Sequence, residues 1–289
     1  MSDVILDRRD LSFQLFEVQD TDSLFARPRF EDHSRETIEA ALDTAEKLAR
    51  EKFATHNALS DKEEPAFVDG KVVMRPEVKE AFDAYIRAGF LSSRARYEEG
   101  GMQLPEITAA ACKGMFMCVN PSSTGYVFLT AAAANVIRNF GNDTLKARFL
   151  EPMMAGRFTG TMALTEPHAG SSLTDIRTRA VPQDNGSYRI KGSKIFISGG
   201  ENELADNIVH LVLAKIPGGP VGVKGISLFV VPKYRLDNNG HPDVRNDVIL
   251  AGLIHKLGYR GTTSTALSFG DADDCHGYLV GEAHQGLRY

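Results

Sequence analysis

Two stretches decide the fold: residues 160–172 read GTMALTEPHAGSS, and residues 194–200 read KIFISGG. Each is an apolar, strand-like run that breaks into small residues and hydroxyls, where a chain normally turns. Each therefore places backbone N–H groups and a hydroxyl at the end of a strand, which suits a flat ligand with a polar edge. The sequence before residue 155 predicts helices and the sequence after it predicts strands, so both stretches lie near a boundary between two layers.

Helical spacing dominates the chain up to residue 157. From Ser34, apolar residues recur every three or four positions as far as Phe53, and charged residues fill the other face. Proline and cap residues predict four more helices, beginning at Pro76, at Pro105, at Ser122 or Ser123, and at Asn142 or Asp143. Together they predict an all-α domain over residues 34–157. Residues 1–33 are an N-terminal extension without a firm assignment, and residues 56–73 predict a loop.

The period changes after residue 157, where short runs rich in Val, Ile, Phe and Thr alternate with Gly, Pro and Asn turns. Six strands are predicted, at 158–165, 188–198, 207–215, 225–232, 263–269 and 277–280. The fold class is therefore multi-domain α and β, with the helical domain followed by an antiparallel β-barrel or sandwich over residues 158–283. Residues 284–289 look like the start of another element, and we expect a truncated protein.

Composition excludes several classes of protein. A formal net charge of −5, with no basic stripe, argues against a nucleic-acid partner. The longest apolar stretch is broken by Asn120 and Pro121, so no membrane span is expected, and the N-terminus lacks a signal-peptide core. Three cysteines, an odd number without metal-ligand spacing, indicate reduced thiols in a cytoplasmic protein and no metal site.

A hydrolase is the first catalytic alternative, because Glu166 and His168 stand close to Ser171 and Ser172. However, there is no Gly-x-Ser-x-Gly elbow, and neighbours within one turn rarely reach the geometry of a catalytic triad. No Gly-x-Gly-x-x-Gly follows a strand, so a Rossmann nucleotide site is also excluded.

The motifs resemble those of the acyl-CoA dehydrogenase family. Residues 163–171 (ALTEPHAGS) resemble the family signature at the flavin and thioester, and residues 194–198 (KIFIS) are similar to its second flavin motif. Weaker matches are YEEGG at 97–101 and, near the end, KLG at 256–258, FGD at 269–271 and LVG at 279–281. Order and spacing fit along residues 30–289. Residues 10–17 resemble the longer bacterial branch that includes 3-methylthiopropanoyl-CoA dehydrogenases.

This resemblance implies a helical domain, a middle β domain and a C-terminal four-helix domain, with FAD between the last two. The chain would carry the first two, and residues 284–289 would begin the third. The implied reaction is flavin-dependent α,β-dehydrogenation of an acyl-CoA thioester to a 2-enoyl-CoA, with hydride passing to N5 of FAD. An electron-transfer flavoprotein is the usual acceptor, and a homodimer or homotetramer is the expected assembly.

The resemblance also implies residue roles. The cofactor-binding set is Met162, Ala163, Leu164, Thr165, Ser171, Phe196, Ile197 and Ser198. Within it Thr165 and the backbone of 162–165 meet the isoalloxazine, Phe196 lies against the ring, Ser198 bonds near N5, and Ser171 meets the flavin phosphate or the CoA substrate. Glu166 is expected to be scaffolding, because the family's catalytic base is a glutamate from a region that this chain does not contain. No catalytic residue is therefore assigned, and the chain alone is expected to be inactive and to bind FAD weakly.

Three rival readings remain open. An acyl-CoA oxidase of the same fold would pass electrons to oxygen. A non-catalytic flavin- or CoA-binding module would fit if the natural chain ends at Tyr289. A purely structural scaffold would make Phe196 a core residue and Ser198 a turn hydroxyl.

Overall fold

The structure is a computed structural model that describes residues 6–289; residues 1–5 of the predicted N-terminal extension lie outside the described residues. The described part of the extension is helical. Helix α1 (Arg8–Ser12) is capped by the Asp7 carboxylate and leads into a π-helical turn at Phe13–Val18. Two 3-10 turns, Thr21–Ala26 and Pro28–Phe30, complete it.

The predicted helices are present. They are α2 (Arg35–Leu48), α4 (Pro76–Arg87), α5 (Glu106–Val119), α6 (Pro121–Phe140), and α7 (Asp143–Leu145), which continues through Lys146–Leu150 into α8 (Glu151–Met154). Ser34 caps α2, with Thr37 completing a capping box. The α6 cap differs from the prediction: the side chain of Asn120 accepts from Ser123 N at 3.0 Å. An amide oxygen at this position serves as well as a hydroxyl, so sequence spacing alone did not identify the cap.

The predicted loop at 56–73 is wrong. It contains helix α3 (Asn57–Lys62) and a hairpin of strands β1 (Ala66–Val68) and β2 (Lys71–Val73). Asp69 and Gly70 make the turn with positive φ at both positions, as a two-residue hairpin turn requires. Only Val72 of the six strand residues is buried, so the alternation was too short to be recognised as a strand pattern.

The β region holds ten further strands. They are β3 (Phe158–Ala163), β4 (Arg179–Pro182), β5 (Tyr188–Ser198), β6 (Asn207–Lys215), β7 (Ile226–Pro232), β8 (Tyr234–Leu236), β9 (Pro242–Arg245), β10 (Val248–Leu253), β11 (Ser264–Phe269) and β12 (His276–Val280). Every predicted strand is among them. Strands β4, β8, β9 and β10 were missed. The first three have only three or four residues and are mostly exposed or half-buried, whereas β10 is a six-residue apolar run that the prediction overlooked.

The main sheet has eight strands in the order β10-β11-β5-β12-β7-β6-β3, with β4 pairing with both β5 and β6. It is an open, sandwich-like sheet and not a closed barrel. It is also not wholly antiparallel, since β3 runs parallel to β6 from Phe158↔Asn207 to Ala163↔Val212. That pairing places the chain that leaves the helices at the β3 edge of the sheet, beside β6.

Contacts between residues divide the chain into two compact units. One takes Arg75–Thr124 and the chain up to Glu63; the other takes Glu64–Met74 and Gly125–Tyr289. In the second unit, Ala133, Phe149 and Met153 of the helices pack with β6 and β7 residues on one side of the sheet. Val212, Phe229 and Phe269 lie in a second core. The contact boundary therefore lies inside α6, whereas the change from helix to strand falls at Phe158, and the domain bounds 34–157 and 158–283 stay predictions.

His210 on β6 is a titratable group in the middle of this core. It lies 2.9 Å from the Thr161 hydroxyl through Nδ1, and among the described residues its Nε2 has no hydrogen-bond partner. Burial, reinforced by the positive charges of Lys233 and Arg245, lowers the pKa of His210 to about 3.

The free energy of unfolding is therefore expected to fall as the pH drops below 6.5, where histidine in the unfolded chain takes up a proton and folded His210 does not. Between pH 6.5 and pH 4, protonation of His210 in the unfolded chain should by itself lower the free energy of unfolding by about 3 kcal/mol. Guanidinium unfolding at several pH values measures it. The His210→Gln variant should lack this part of the slope, and an unchanged slope in the variant would contradict the assignment.

Candidate functional site

The two motifs that the sequence singled out lie side by side. The backbone N–H of Ile195 on β5 donates to the carbonyl oxygen of Thr165, just past β3, at 2.9 Å. Since β3 pairs with β6 and β5 pairs with β11, β12 and β4, this bond joins two strands that are not neighbours in the sheet. The ends of both motifs therefore form one surface.

The side chain of Glu166 links the two motifs and is buried. Its carboxylate accepts four hydrogen bonds: from Arg177 N (2.7 Å), Thr178 N (3.0 Å), the Thr178 hydroxyl (2.6 Å) and Lys194 Nζ (2.9 Å). Lys194 also donates to the carbonyl oxygen of Leu164 at 2.9 Å. Both side chains of the ion pair are almost completely buried, at 2% and 0% exposed. Several hydrogen bonds to each partner offset the cost of burying a charge pair this deep.

The protonation of Glu166 follows from the same contacts. Burial by itself would raise the pKa of this carboxyl, but the hydrogen bonds from Thr178, Arg177 and Lys194 outweigh burial and lower the pKa. Glu166 is therefore held as a buried carboxylate whose two oxygens both accept hydrogen bonds, which makes it a poor proton acceptor for a ligand.

Phe196 stands out from β5 at a bulge. Thr265 of β11 pairs with Ile197 and Leu267 pairs with Lys194, so Ile195 and Phe196 together face the single residue between them. Phe196 takes φ +61°, a left-handed conformation that is strained for a bulky residue. Its ring is 60% exposed. Strain at a bulge that aims a large apolar ring at solvent is typical of a functional surface.

The glycines after Ser198 keep this end of β5 close to its neighbours. Gly199 has φ +67°, and its N–H donates to Thr263 O at 3.0 Å. A Cβ on Gly200 would lie 2.2 Å from the Thr265 hydroxyl. Tyr126 and Leu129 of α6 pack beside Gly199, so an apolar wall borders the strand end.

The other predicted site residues divide into side chains that face the surface and side chains that do not. Ala163 and Ile197 are buried in the core, so only their backbone is available to a ligand, and Met162 and Leu164 are half-buried. Thr165 and Ser198 are half-buried and Ser171 is exposed. Among residues 6–289, none of these three hydroxyls has a hydrogen-bond partner. They are free to bond a ligand.

The turn after β3 holds its own shape. Glu166 and Ala169 exchange backbone hydrogen bonds at 2.8 and 3.1 Å. The Ser172 hydroxyl donates to the Asp175 carboxylate at 2.7 Å. His168 is exposed and bonds the carbonyl oxygen of Asp175 at 3.1 Å.

Sequence reasoning missed Lys194 and Thr178 as parts of the site. Lys194 begins the second motif but was read only as part of a strand. Its position supplied a signal, because a lysine directly before the β-branched and aromatic run Ile195-Phe196-Ile197 has to be buried and paired, or the strand has to be exposed.

Two family models match the chain. The acyl-CoA dehydrogenase N-terminal domain matches residues 35–157, and the acyl-CoA dehydrogenase middle domain matches residues 161–272. The chain belongs to the acyl-CoA dehydrogenase family. Both motifs at the surface lie within the middle-domain match.

Two bacterial relatives of this acyl-CoA dehydrogenase family chain match it over nearly its whole length. A 3-methylmercaptopropionyl-CoA dehydrogenase of Ruegeria pomeroyi is 38% identical over 281 residues, which is 97% of this chain and 47% of the relative. A butyryl-CoA dehydrogenase of Syntrophomonas wolfei is 37% identical over 280 residues, covering 95% of this chain and 46% of the relative. The chain thus spans about half the length of these relatives.

Two solved structures share the fold of this acyl-CoA dehydrogenase family chain. Butyryl-CoA dehydrogenase of Megasphaera elsdenii superposes with a TM-score of 0.68 at 22% identity, covering 89% of this chain and 61% of that one. A structure described as the electron transferring flavoprotein of Acidaminococcus fermentans gives a TM-score of 0.69 at 24% identity, covering 89% and 60%. At these identities the likeness shows the fold alone.

Neither a metal-ion site nor a membrane-spanning helix is found in the part of the chain that the structure describes. No group of three or more His, Cys, Asp or Glu side chains there could hold a metal ion. No helix within residues 6–289 is long and apolar enough to cross a membrane.

Proposed function

We propose that this chain supplies the helical and middle domains of an FAD-dependent acyl-CoA dehydrogenase that converts an acyl-CoA thioester to a 2-enoyl-CoA. The observation that carries the proposal is the joined surface of the two motifs, where the exposed ring of Phe196 stands beside the unpartnered hydroxyls of Thr165 and Ser198. The family membership supports it.

The residues present fit a flavin. A planar tricyclic ring needs a flat apolar contact and polar groups along its edge, and this surface offers Phe196 for the first and two hydroxyls for the second. The bulge fixes Phe196 in one backbone position before any ligand arrives, so the contact is preorganised. Ser171, exposed on the turn, is proposed to bond a phosphate of the cofactor or the CoA moiety.

When bound, FAD would supply the hydride acceptor for the reaction. This chain would hold the ring: Thr165 and Ser198 would donate to the ring edge where negative charge accumulates, and the backbone of 162–165 would line it. The base that removes the α-proton is proposed to come from outside these residues. Glu166 is unsuited to that role, because its carboxylate is buried and already accepts four hydrogen bonds.

The proposal is tested by recording the visible absorption spectrum of the protein that the whole reading frame encodes. We expect a flavin absorption band that bleaches anaerobically when an acyl-CoA is added. Absence of both the band and any bleaching across a series of acyl-CoAs would overturn it. Hydrogen peroxide formed without an added acceptor would instead assign the oxidase reaction.

Ser198→Ala gives the residue-level test, with Ser193→Ala on the same strand as its matched control. Ser193 is exposed and lies five residues earlier on β5, just outside the second motif. Loss of one hydrogen bond to developing charge should slow flavin reduction by roughly 10- to 100-fold in Ser198→Ala. Equal rates in the two variants would remove Ser198 from the site.

The remaining partners are proposed from the family resemblance. The electron acceptor would be an electron-transfer flavoprotein, and the assembly a homodimer or homotetramer. A cytoplasmic location agrees with the cysteines, because within residues 6–289 Cys112, Cys118 and Cys275 form no disulfide. The resemblance to the longer bacterial branch favours a short or methylthio-substituted acyl chain. The 3-methylmercaptopropionyl-CoA and butyryl-CoA dehydrogenase relatives favour the same class.

A further inference from the structure

A loop leads into β11 next to the motif surface and carries an unusual lysine. Residues 254–263 join β10 to β11, and the first residue of β11, Ser264, lies opposite Ser198 of β5. Lys256 folds back along this loop, where its Nζ donates to the carbonyl oxygen of Thr262 at 2.8 Å and lies 4.4 Å from the centre of the Tyr259 ring.

Lys256 has no carboxylate partner among the described residues. The nearby Glu64 is engaged by His255 at 2.8 Å and by Arg260 at 3.8 Å. The ammonium is thus half-buried against an aromatic face and one carbonyl oxygen, with no ion pair to hold its proton. Burial is the main reason that the pKa of Lys256 falls to about 8, although the charge of Glu64 opposes the fall.

The residues that follow Lys256 leave one side of this loop open. Leu257 is 95% exposed, and a Cβ on Gly258 would meet no atom within 4 Å. Tyr259 has φ +60° and packs tightly on Gly125, where a Cβ would lie 2.0 Å from the tyrosine hydroxyl. The ring beneath Lys256 is therefore fixed, while the side of the loop at Leu257 and Gly258 is open.

We propose that Lys256 is a self-acylation site, modified by acyl thioesters of the class that the chain is proposed to bind. The neutral amine attacks the thioester carbonyl, a C–N bond forms, and the C–S bond breaks. The proton lost from nitrogen passes to the departing sulfur, which leaves as free CoA thiol. The product is a neutral amide, so the positive charge over Tyr259, in the loop that leads to the strand opposite Ser198, is lost.

This inference uses the proposed function only as the source of the thioester. Acylation needs no flavin and no hydride transfer, so it is measured independently of dehydrogenation. A chain that acylates Lys256 but never reduces flavin would sink the proposed function alone, and the reverse result would sink only this inference.

The experiment incubates the chain with butyryl-CoA, without added flavin, and follows acylation of each lysine by peptide mass spectrometry. The matched controls are Lys215, whose Nζ also donates to a carbonyl oxygen (Thr174, 2.7 Å), and Lys191, which is more open but paired with Asp273 at 2.6 Å. At pH 8 about half of Lys256 is neutral, against well under 1% of an ordinary lysine. Allowing for the weaker nucleophilicity of a less basic amine, Lys256 should react roughly 10-fold faster than both controls.

The rate at Lys256 should rise with pH and level off above about 8. In guanidinium the preference over Lys191 should vanish, because it comes from the fold. Lys256→Arg should remove the site while keeping the folded circular dichroism spectrum. Acylation of Lys191 or Lys215 at the same rate as Lys256 in the folded chain would overturn the proposal.

Discussion

Glu166→Ala is expected to lower the free energy of unfolding of the second unit by about 4 kcal/mol, because removing one partner of a buried ion pair leaves the other charge uncompensated. In this variant the Lys194 ammonium, 0% exposed, would keep only the carbonyl oxygen of Leu164. The N–H groups of Arg177 and Thr178 would also lose their acceptor. Urea unfolding of the variant and the parent chain measures the loss.

The double variant Glu166→Ala with Lys194→Met is the control. It removes the stranded charge together with its partner, so it should recover a large part of the lost stability. If Glu166→Ala lowers the free energy of unfolding by less than about 1 kcal/mol, the ion pair is open to solvent and is not a buried pair that stabilises the fold.

The pH dependence has a fixed sign. Because the pKa of Glu166 is lower in the folded chain than in the unfolded one, its carboxylate stabilises the fold above the unfolded pKa, and this contribution is lost as the pH falls through the folded pKa. The Glu166→Gln variant should therefore differ most from the parent near neutral pH and converge with it in acid. A catalytic carboxyl would behave differently: its amide variant would keep stability and lose only activity.

The strands and helices that carry strong periodicity were predictable from the sequence. The stripe in α2 repeats over 14 residues, and β5, β6 and β7 are apolar runs long enough to show a strand period. The hairpin of β1 and β2 buries only Val72 and left no such pattern. The parallel pairing of β3 with β6 also could not be predicted, because it depends on which strands meet across 49 positions of chain and not on local composition.

At the site, the sequence predicted which residues assemble but not how they are held. The structure joins the two motifs through the bond from Ile195 N–H to Thr165 O, while the ligand-binding roles of Thr165, Phe196 and Ser198 stay a prediction. The bulge that gives Phe196 its positive φ is invisible in the sequence, since it arises from a register shift against β11. The partnership of Lys194 with Glu166 is likewise a tertiary contact over 28 residues.

At position 196 we expect stability and ligand binding to favour different residues. Phe196→Ala removes the exposed ring but keeps a Cβ in the strained left-handed position, whereas Phe196→Gly removes both. Phe196→Gly should therefore be more stable than Phe196→Ala by about 1 kcal/mol, the usual relief of left-handed strain. Both variants should bind FAD about 10-fold more weakly, because a stacked aromatic contact is worth about 1 kcal/mol or slightly more.

Quenching of FAD fluorescence during a titration measures the affinity, and urea unfolding measures the stability. Phe196→Tyr is the conservative control, since it keeps the flat ring and should keep most of the affinity. If Phe196→Ala binds FAD as tightly as the parent chain, the ring does not contact the flavin. If Phe196→Gly is no more stable than Phe196→Ala, the bulge is not strained. The combination expected here is strain relief in Phe196→Gly relative to Phe196→Ala and weaker FAD binding in both. It would show that the strained backbone at Phe196 serves the ligand and not the fold.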